Sequence, residues 1–246
     1  MYDRLKAFGI HLGVSVLVGL SVLWLVFYFW YPIPLNKAVG VTQIFLLLLM
    51  IDVILGPLLT LIVYKKGKKS LKLDLSVIAL VQLGALVYGL NALAEARPAW
   101  LVFSADRFDV VRVLDLDLRY ADKVKPEYQL SLFSAPRWVA ALPPEGAEAN
   151  STITLEAVYA GLDYAQRPYL YHPLSAAANN IRKHAQELDA LNTLNPPDHV
   201  KKTLTLWPEA DAWLPIMANV SPMVVLINRE KAAVVAIVNL RPWADD

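Results

Sequence analysis

Three long uncharged stretches dominate the first ninety-odd residues. Ala7 to Tyr31 holds no Asp, Glu, Lys or Arg, Val39 to Val63 holds only Asp52, and Leu75 to Ala94 holds none. Crossing a hydrocarbon core of about 30 Å takes roughly 20 helical residues at about 1.5 Å each. Each stretch is long enough, and buried helices of soluble proteins rarely stay uncharged for so long. The first stretch is too long for the apolar part of a cleaved signal peptide, and it ends in aromatics rather than small residues. The pattern predicts three membrane spans, over about 7–31, 39–63 and 75–94.

After Glu95-Ala96-Arg97-Pro98 the pattern changes to short runs. Trp100 to Ser104 and Phe108 to Leu116 read as strands around a turn-like Ala105-Asp106-Arg107, and Arg137 to Leu142 as a third. Pro143 to Asn150 is a loop by composition. Thr152-Ile153-Thr154-Leu155 alternates like a strand, while Leu155, Val158, Tyr159 and Leu162 recur at helical spacing. The helical reading is preferred. Ser175 is placed to cap one amphipathic helix reaching about Leu194, with Ile181, Ala185, Leu188 and Leu191 inward. Met223 to Asn228 and Ala232 to Leu240, joined by Arg229-Glu230-Lys231, are apolar on both faces, as in a covered central hairpin. The expected fold class is a membrane protein: three N-terminal transmembrane helices (1–95), then a soluble α+β domain (97–246) ending in a β-hairpin.

Charge adds sidedness. The N-terminus has Arg4 and Lys6, the 32–38 loop has only Lys37, and the 64–74 loop carries Lys65, Lys66, Lys68, Lys69 and Lys72. By the positive-inside rule the N-terminus and the lysine loop are cytoplasmic, and the C-terminal domain lies on the opposite side. Trp24, Tyr28, Trp30 and Tyr31 cluster at the far end of the first span, where an interfacial aromatic belt belongs. From Arg97 onward there are 15 Lys+Arg against 18 Asp+Glu. That balance argues against nucleic-acid binding, which wants a basic face. The chain has no cysteine, which excludes disulfides, thiolate catalysis and cysteine metal sites.

Candidate chemistry is sparse. His11, His172, His184 and His199 have no metal-ligand spacing, and no phosphate loop, dinucleotide fingerprint or nucleophile elbow appears. No metal or cofactor is expected. Asn150-Ser151-Thr152 and Asn219-Val220-Ser221 match a glycosylation sequon too short to carry weight. Asp115-x-Asp117 resembles the metal-binding pair of a glycosyltransferase, although a solvated strand end is the plainer reading.

Asp52 is the residue that needs an explanation. An ionised aspartate at mid-bilayer costs about 2.5–3.5 kcal/mol on insertion scales, so it should face another helix. Counted by helical rise, the same depth falls near Gly19 to Ser21 on the first span and near Tyr88 on the third. The expectation is that Asp52 hydrogen-bonds Ser21 or Tyr88. One turn later Gly56 allows close helix approach, and Pro57 should free the Val53 carbonyl and kink the span. A proton relay or substrate path is the functional alternative, but the spans offer Asp52 no basic partner.

The order of these features resembles a known family. Lys6-Ala7-Phe8-Gly9-Ile10-His11-Leu12 opens the chain, Asp52-Val53-Ile54-Leu55-Gly56-Pro57-Leu58-Leu59-Thr60 lies in the second span, and Lys68-Lys69-Ser70-Leu71-Lys72-Leu73-Asp74-Leu75 leads into the third. Ala96-Arg97-Pro98 follows that span, and the Val234 to Trp243 run ends in Leu-Arg-Pro-Trp. Together they resemble the TfpX/TfpZ family of type IV pilin accessory proteins, also described as FimB-like, most closely over residues 1–112 and the terminal hairpin. The resemblance implies a bacterial inner-membrane protein, with its C-terminal domain in the periplasm, that aids assembly of a cognate major pilin without catalysis. Its implied partners are that pilin and membrane lipid. The alternatives are a membrane-bound enzyme that modifies pilin, resting on Asp115 and Asp117, and a transport component, resting on Asp52.

Overall fold

The computed structural model describes residues 1–144 and 146–244. Three helices are long and apolar enough to span a bilayer: Tyr2–Trp30, Val41–Val63 and Leu71–Ala96. The first and third begin earlier than the uncharged stretches, taking in Arg4 and Lys6 or Lys72 and Asp74. Helix there continues into the headgroup region, where long basic side chains keep their charge in water. The five lysines of the loop and the start of the third span are all exposed. Lys66 pairs with Asp3 at 3.5 Å and Lys68 with Asp74 at 2.6 Å.

Beyond the third span the chain forms an eight-stranded mixed sheet, ordered β4-β3-β1-β2-β6-β7-β8, with β5 pairing β6 off that path. The strands are β1 (Pro98–Ser104), β2 (Arg107–Arg112), β3 (Arg137–Ala141), β4 (Tyr171–His172), β5 (Gln186–Glu187), β6 (Ala212–Met217), β7 (Met223–Asn228) and β8 (Ala233–Val238). β1 with β3 and β2 with β6 are parallel, and the other pairs are antiparallel.

The sheet is curled. In a flat sheet β1 and β8 would stand roughly 19 Å apart, four strand spacings. Yet Leu101 of β1 and Val234 to Ile237 of β8 line one cavity of about 360 Å³ together with Trp138. Register shifts near Pro98 in β1 and at Leu226/Ile227 in β7 mark irregular ladder positions of the kind that add local twist. Leu101, Phe103, Phe108, Leu214, Ile216 and Val225 face the inside of the curl. The outer face is covered by two further clusters, one around Trp100 and Tyr171 and one around Trp213 and Leu191.

The inner core also takes residues from the loop between the first two spans. Leu35 and Ala38 are buried among the inward side chains of β1, β2 and β6. The Ala38 carbonyl accepts from both Val220 N–H and Ser221 N–H at 3.1 Å. Gly40 has a left-handed φ of 70°, and a Cβ there would lie 2.9 Å from the Val220 side chain, so only glycine fits without a shift. A second clasp joins the span ends. The Trp30 indole donates to the Leu132 carbonyl at 2.7 Å, the Tyr31 hydroxyl donates to the Leu93 carbonyl at 2.7 Å, and buried Arg97 donates to the Ala94 and Ser131 carbonyls.

Several expectations are corrected. The strand expected to reach Leu116 stops at Arg112, because the Arg112 N–H and guanidinium both bond Asp115 and fold a 3₁₀ turn over Val113–Asp115. The single helix expected from Ser175 to Leu194 is broken. Its regular part is Ala178–His184, after which Ala185 turns extended and Gln186–Glu187 pairs with β6. That break is held by Arg229, which donates to the Ala185 carbonyl and pairs with Glu187, and by the Trp213 indole on the Glu187 carbonyl. The helix favoured over 152–162 is present as Ala147–Ala160 and begins inside the expected loop. In the terminal hairpin β7 is buried from Met223 to Ile227, but β8 is a half-buried edge strand rather than a central one.

Leu35→Ala should lower stability by about 2–4 kcal/mol, the cost of emptying a buried leucine site. Ile33→Ala, at a position 84 % exposed, should be close to neutral. Tryptophan-monitored unfolding of the purified protein in detergent checks both.

Candidate functional site

Asp52 sits in the middle of the second span, where the helix widens into a π-turn over Met50–Leu55. There the Gly56 N–H donates to the Ile51 carbonyl, five residues back. In the same register the Asp52 carbonyl would receive the N–H of residue 57, which is proline and has none. Gln82 of the third span supplies the missing donor: its Nε2 bonds the Asp52 carbonyl at 3.1 Å. A regular α-helix would free the Val53 carbonyl; the π-turn makes it that of Asp52.

Gly56 is the opening through which Gln82 reaches. A Cβ at position 56 would stand 1.9 Å from Gln82 Nε2. One turn on, Thr60 is buried and its hydroxyl lies 2.6 Å from His11 Nδ1 of the first span. Gly19 packs on Leu49 and Val53 of the second span, with a Cβ there meeting them at 3.1 and 3.3 Å. The second span is thus tied to the first through His11 and Gly19, and to the third through Gln82.

The expected partners of Asp52 are corrected. The exposed Ser21 hydroxyl donates to the Leu17 carbonyl on its own helix, and Tyr88 is 79 % exposed on the outer side of the third span. Both have the right depth and the wrong face. Asp52 is itself only 7 % exposed, and its Oδ2 has no hydrogen-bond partner among the described residues. Gly56 lies against Gln82, and Pro57 is buried. Gln82 was missed, although it is an amide within an otherwise apolar stretch, and such a residue is expensive in lipid unless it has a partner.

The Asp-x-Asp pair faces arginines. Asp115 is held by Arg112 at 2.7 Å. Asp117, whose side chain is 2 % exposed, accepts from Arg119 at 2.7 Å and from buried Arg167 at 3.1 Å. Both arginines also bind Glu156 on the helix Ala147–Ala160. This alternating network joins three segments and leaves no carboxylate pair free for a cation. No group of three or more potential metal-binding side chains occurs among the described residues. The guanidinium of Arg119, then that of Arg167, pulls Glu156 from its ordinary 4.5 to about 2, and Arg119 likewise lowers Asp117.

A family model for fimbrial assembly protein FimB matches residues 1–40, the first span and the loop that enters the sheet. A fimbrial assembly protein of serogroup E1 from Dichelobacter nodosus is 34 % identical over 223 residues, covering 87 % of this chain and 86 % of that protein. The serogroup I counterpart from the same organism is 34 % identical over 185 residues, 74 % of this chain and 72 % of its own. This chain belongs to the FimB family of fimbrial assembly proteins. No solved structure matches it. The three apolar helices and the family membership together make it a membrane protein of a pilus assembly system.

Two predictions test this FimB-family structure. Gln82→Leu should cost about 1–3 kcal/mol, since it leaves the Asp52 carbonyl unmet in a dry environment. Gly56→Ala should cost a similar amount by pushing Gln82 aside. Combined, the two should be far from additive, because they remove one bond; detergent unfolding of the single and double variants measures this. A carboxylate depressed in the folded state stabilises above its unfolded pKa and loses that contribution as pH falls through the folded value. Glu156→Gln should therefore lower Tm at neutral pH, and the gap to the unmodified protein should close as pH falls from 4.5 to about 2. Melting curves over that range check the sign.

Proposed function

We propose that this protein is an inner-membrane accessory factor that assists assembly of a cognate type IV pilin by binding it directly. The N-terminus and lysine loop face the cytoplasm, and the sheet domain faces the periplasm. The observation that carries this reading is the coupling of the two halves. Leu35 and Ala38, between the first and second spans, are part of the sheet core, and Arg97 and Trp30 clasp the span ends to the 131–132 loop. One body therefore offers a surface in the bilayer and another outside it. The third span buries only Ile78 and Leu93 among its described residues, and β8 is an apolar strand at the sheet edge. A membrane-anchored subunit with a globular head could use both.

The alternative of a pilin-modifying enzyme has lost its motivating pair, since Asp115 and Asp117 are engaged by Arg112, Arg119 and Arg167. Deletion of the gene should abolish surface piliation and twitching, with restoration by a plasmid copy, while the intact mass of the pilin stays unchanged. Normal pili in a clean deletion would overturn the assembly reading. A pilin mass that changes on deletion would restore the enzyme.

A further inference from the structure

The bundle leaves a groove between the first and third spans, floored by the second. Its lysine-side part, about 670 Å³, is lined by Lys6, Ile10, Thr60 and Leu75 among others. Its deeper part, about 210 Å³, is lined by Ser15, Val18, Asp52, Gln82, Leu83 and Leu86. His11, Val14 and Ala79 line both parts, so the two are continuous.

At the deep end two acceptors are unmet among the described residues, Asp52 Oδ2 and Gln82 Oε1. Asp52 is more than nine-tenths buried. Ionised or protonated, its carboxyl keeps an oxygen able to accept. Acyl chains could cover Val14, Val18, Leu83 and Leu86, but they carry no donor, and an unmet acceptor in hydrocarbon is costly. A peptide helix with a hydroxyl, amide or ammonium group at the right height satisfies walls and floor together. The small side chains of Ser15 and Ala79 leave room for its backbone to approach.

We propose that this groove receives one transmembrane helix of a partner, which donates a hydrogen bond to Asp52 about 17 Å from the lysine-side end of the second span. The identity of that helix as the pilin's rests on the function proposed above; the groove and its donor requirement do not. Asp52 then acts as a specificity element that distinguishes a helix bearing a donor from a purely apolar one.

The test is photocrosslinking in cells, with the full-length protein carrying a photoreactive residue at one position at a time. Leu83 probes the groove. Val81 and Tyr88, 64 % and 79 % exposed on the opposite side of the same helix, probe lipid-facing background. Val235 on β8 probes the soluble domain. The expected result is pilin captured at Leu83 about five-fold above Val81 and Tyr88, a yield that Asp52→Leu lowers by about that factor. Asp52→Asn, which keeps an acceptor oxygen and the side-chain shape, should retain most of the yield, and an unchanged melting temperature of Asp52→Leu in detergent separates loss of the bond from misfolding. Pilin captured at Val235, with Leu83 at background, would overturn the groove and leave the pilin reading standing. A different donor-bearing membrane helix captured at Leu83 would support the groove and overturn the pilin as its occupant. Lipid adducts alone at Leu83, or equal yield from Asp52→Leu, would overturn the inference.

Discussion

The structure turns on one carbonyl. Ala38 O accepts from the N–H groups of Val220 and Ser221, and this fixes a membrane loop inside a domain that begins sixty residues later. The loop is short and must do two things at once. It reverses the chain between two spans, and it fills the inner core of the sheet with Leu35 and Ala38. A shift in the loop would unseat both the second span and the β6–β7 connection. This explains why Gly40 stands where Val220 leaves room for no side chain.

Inside the bilayer the governing rule is that each backbone polar group must find a partner in the protein. The second span breaks the helical ladder with a π-turn and a proline, and the third span repairs it with Gln82 through the gap at Gly56. Three residues that look unrelated in sequence thus form one device. The soluble domain shows the same economy in its charges: Asp117, Arg119, Glu156 and Arg167 neutralise one another and hold a helix that also buries Ile153.

The spans were legible because uncharged length alone identifies them, and β1 and β7 because continuous apolar runs read as covered strands. β6 was not read, since Pro215 stands within it. The proline falls between the stretch that pairs β5 and the stretch that pairs β2, so it removes no bond from either. The helix over 178–184 was read as too long because its inward spacing continues past Ala185, while the bonds that end it come from Trp213 and Arg229, distant in sequence. Asp52 shows the limit of depth counting. Rise along a helix gives height, and Ser21 and Tyr88 have the right height. Rotation about the axis decides which side chain turns inward, and a uniformly apolar span carries little periodic signal for it.

The buried loop also sets an order of manufacture. Residues 35–38 leave the ribosome well before β6 and β7, yet the inner core cannot close without them. The sheet must therefore condense around a segment already threaded and anchored by its two flanking helices. Bilayer insertion is in this sense the first step in folding the soluble half, and the membrane serves as the template on which the domain is completed.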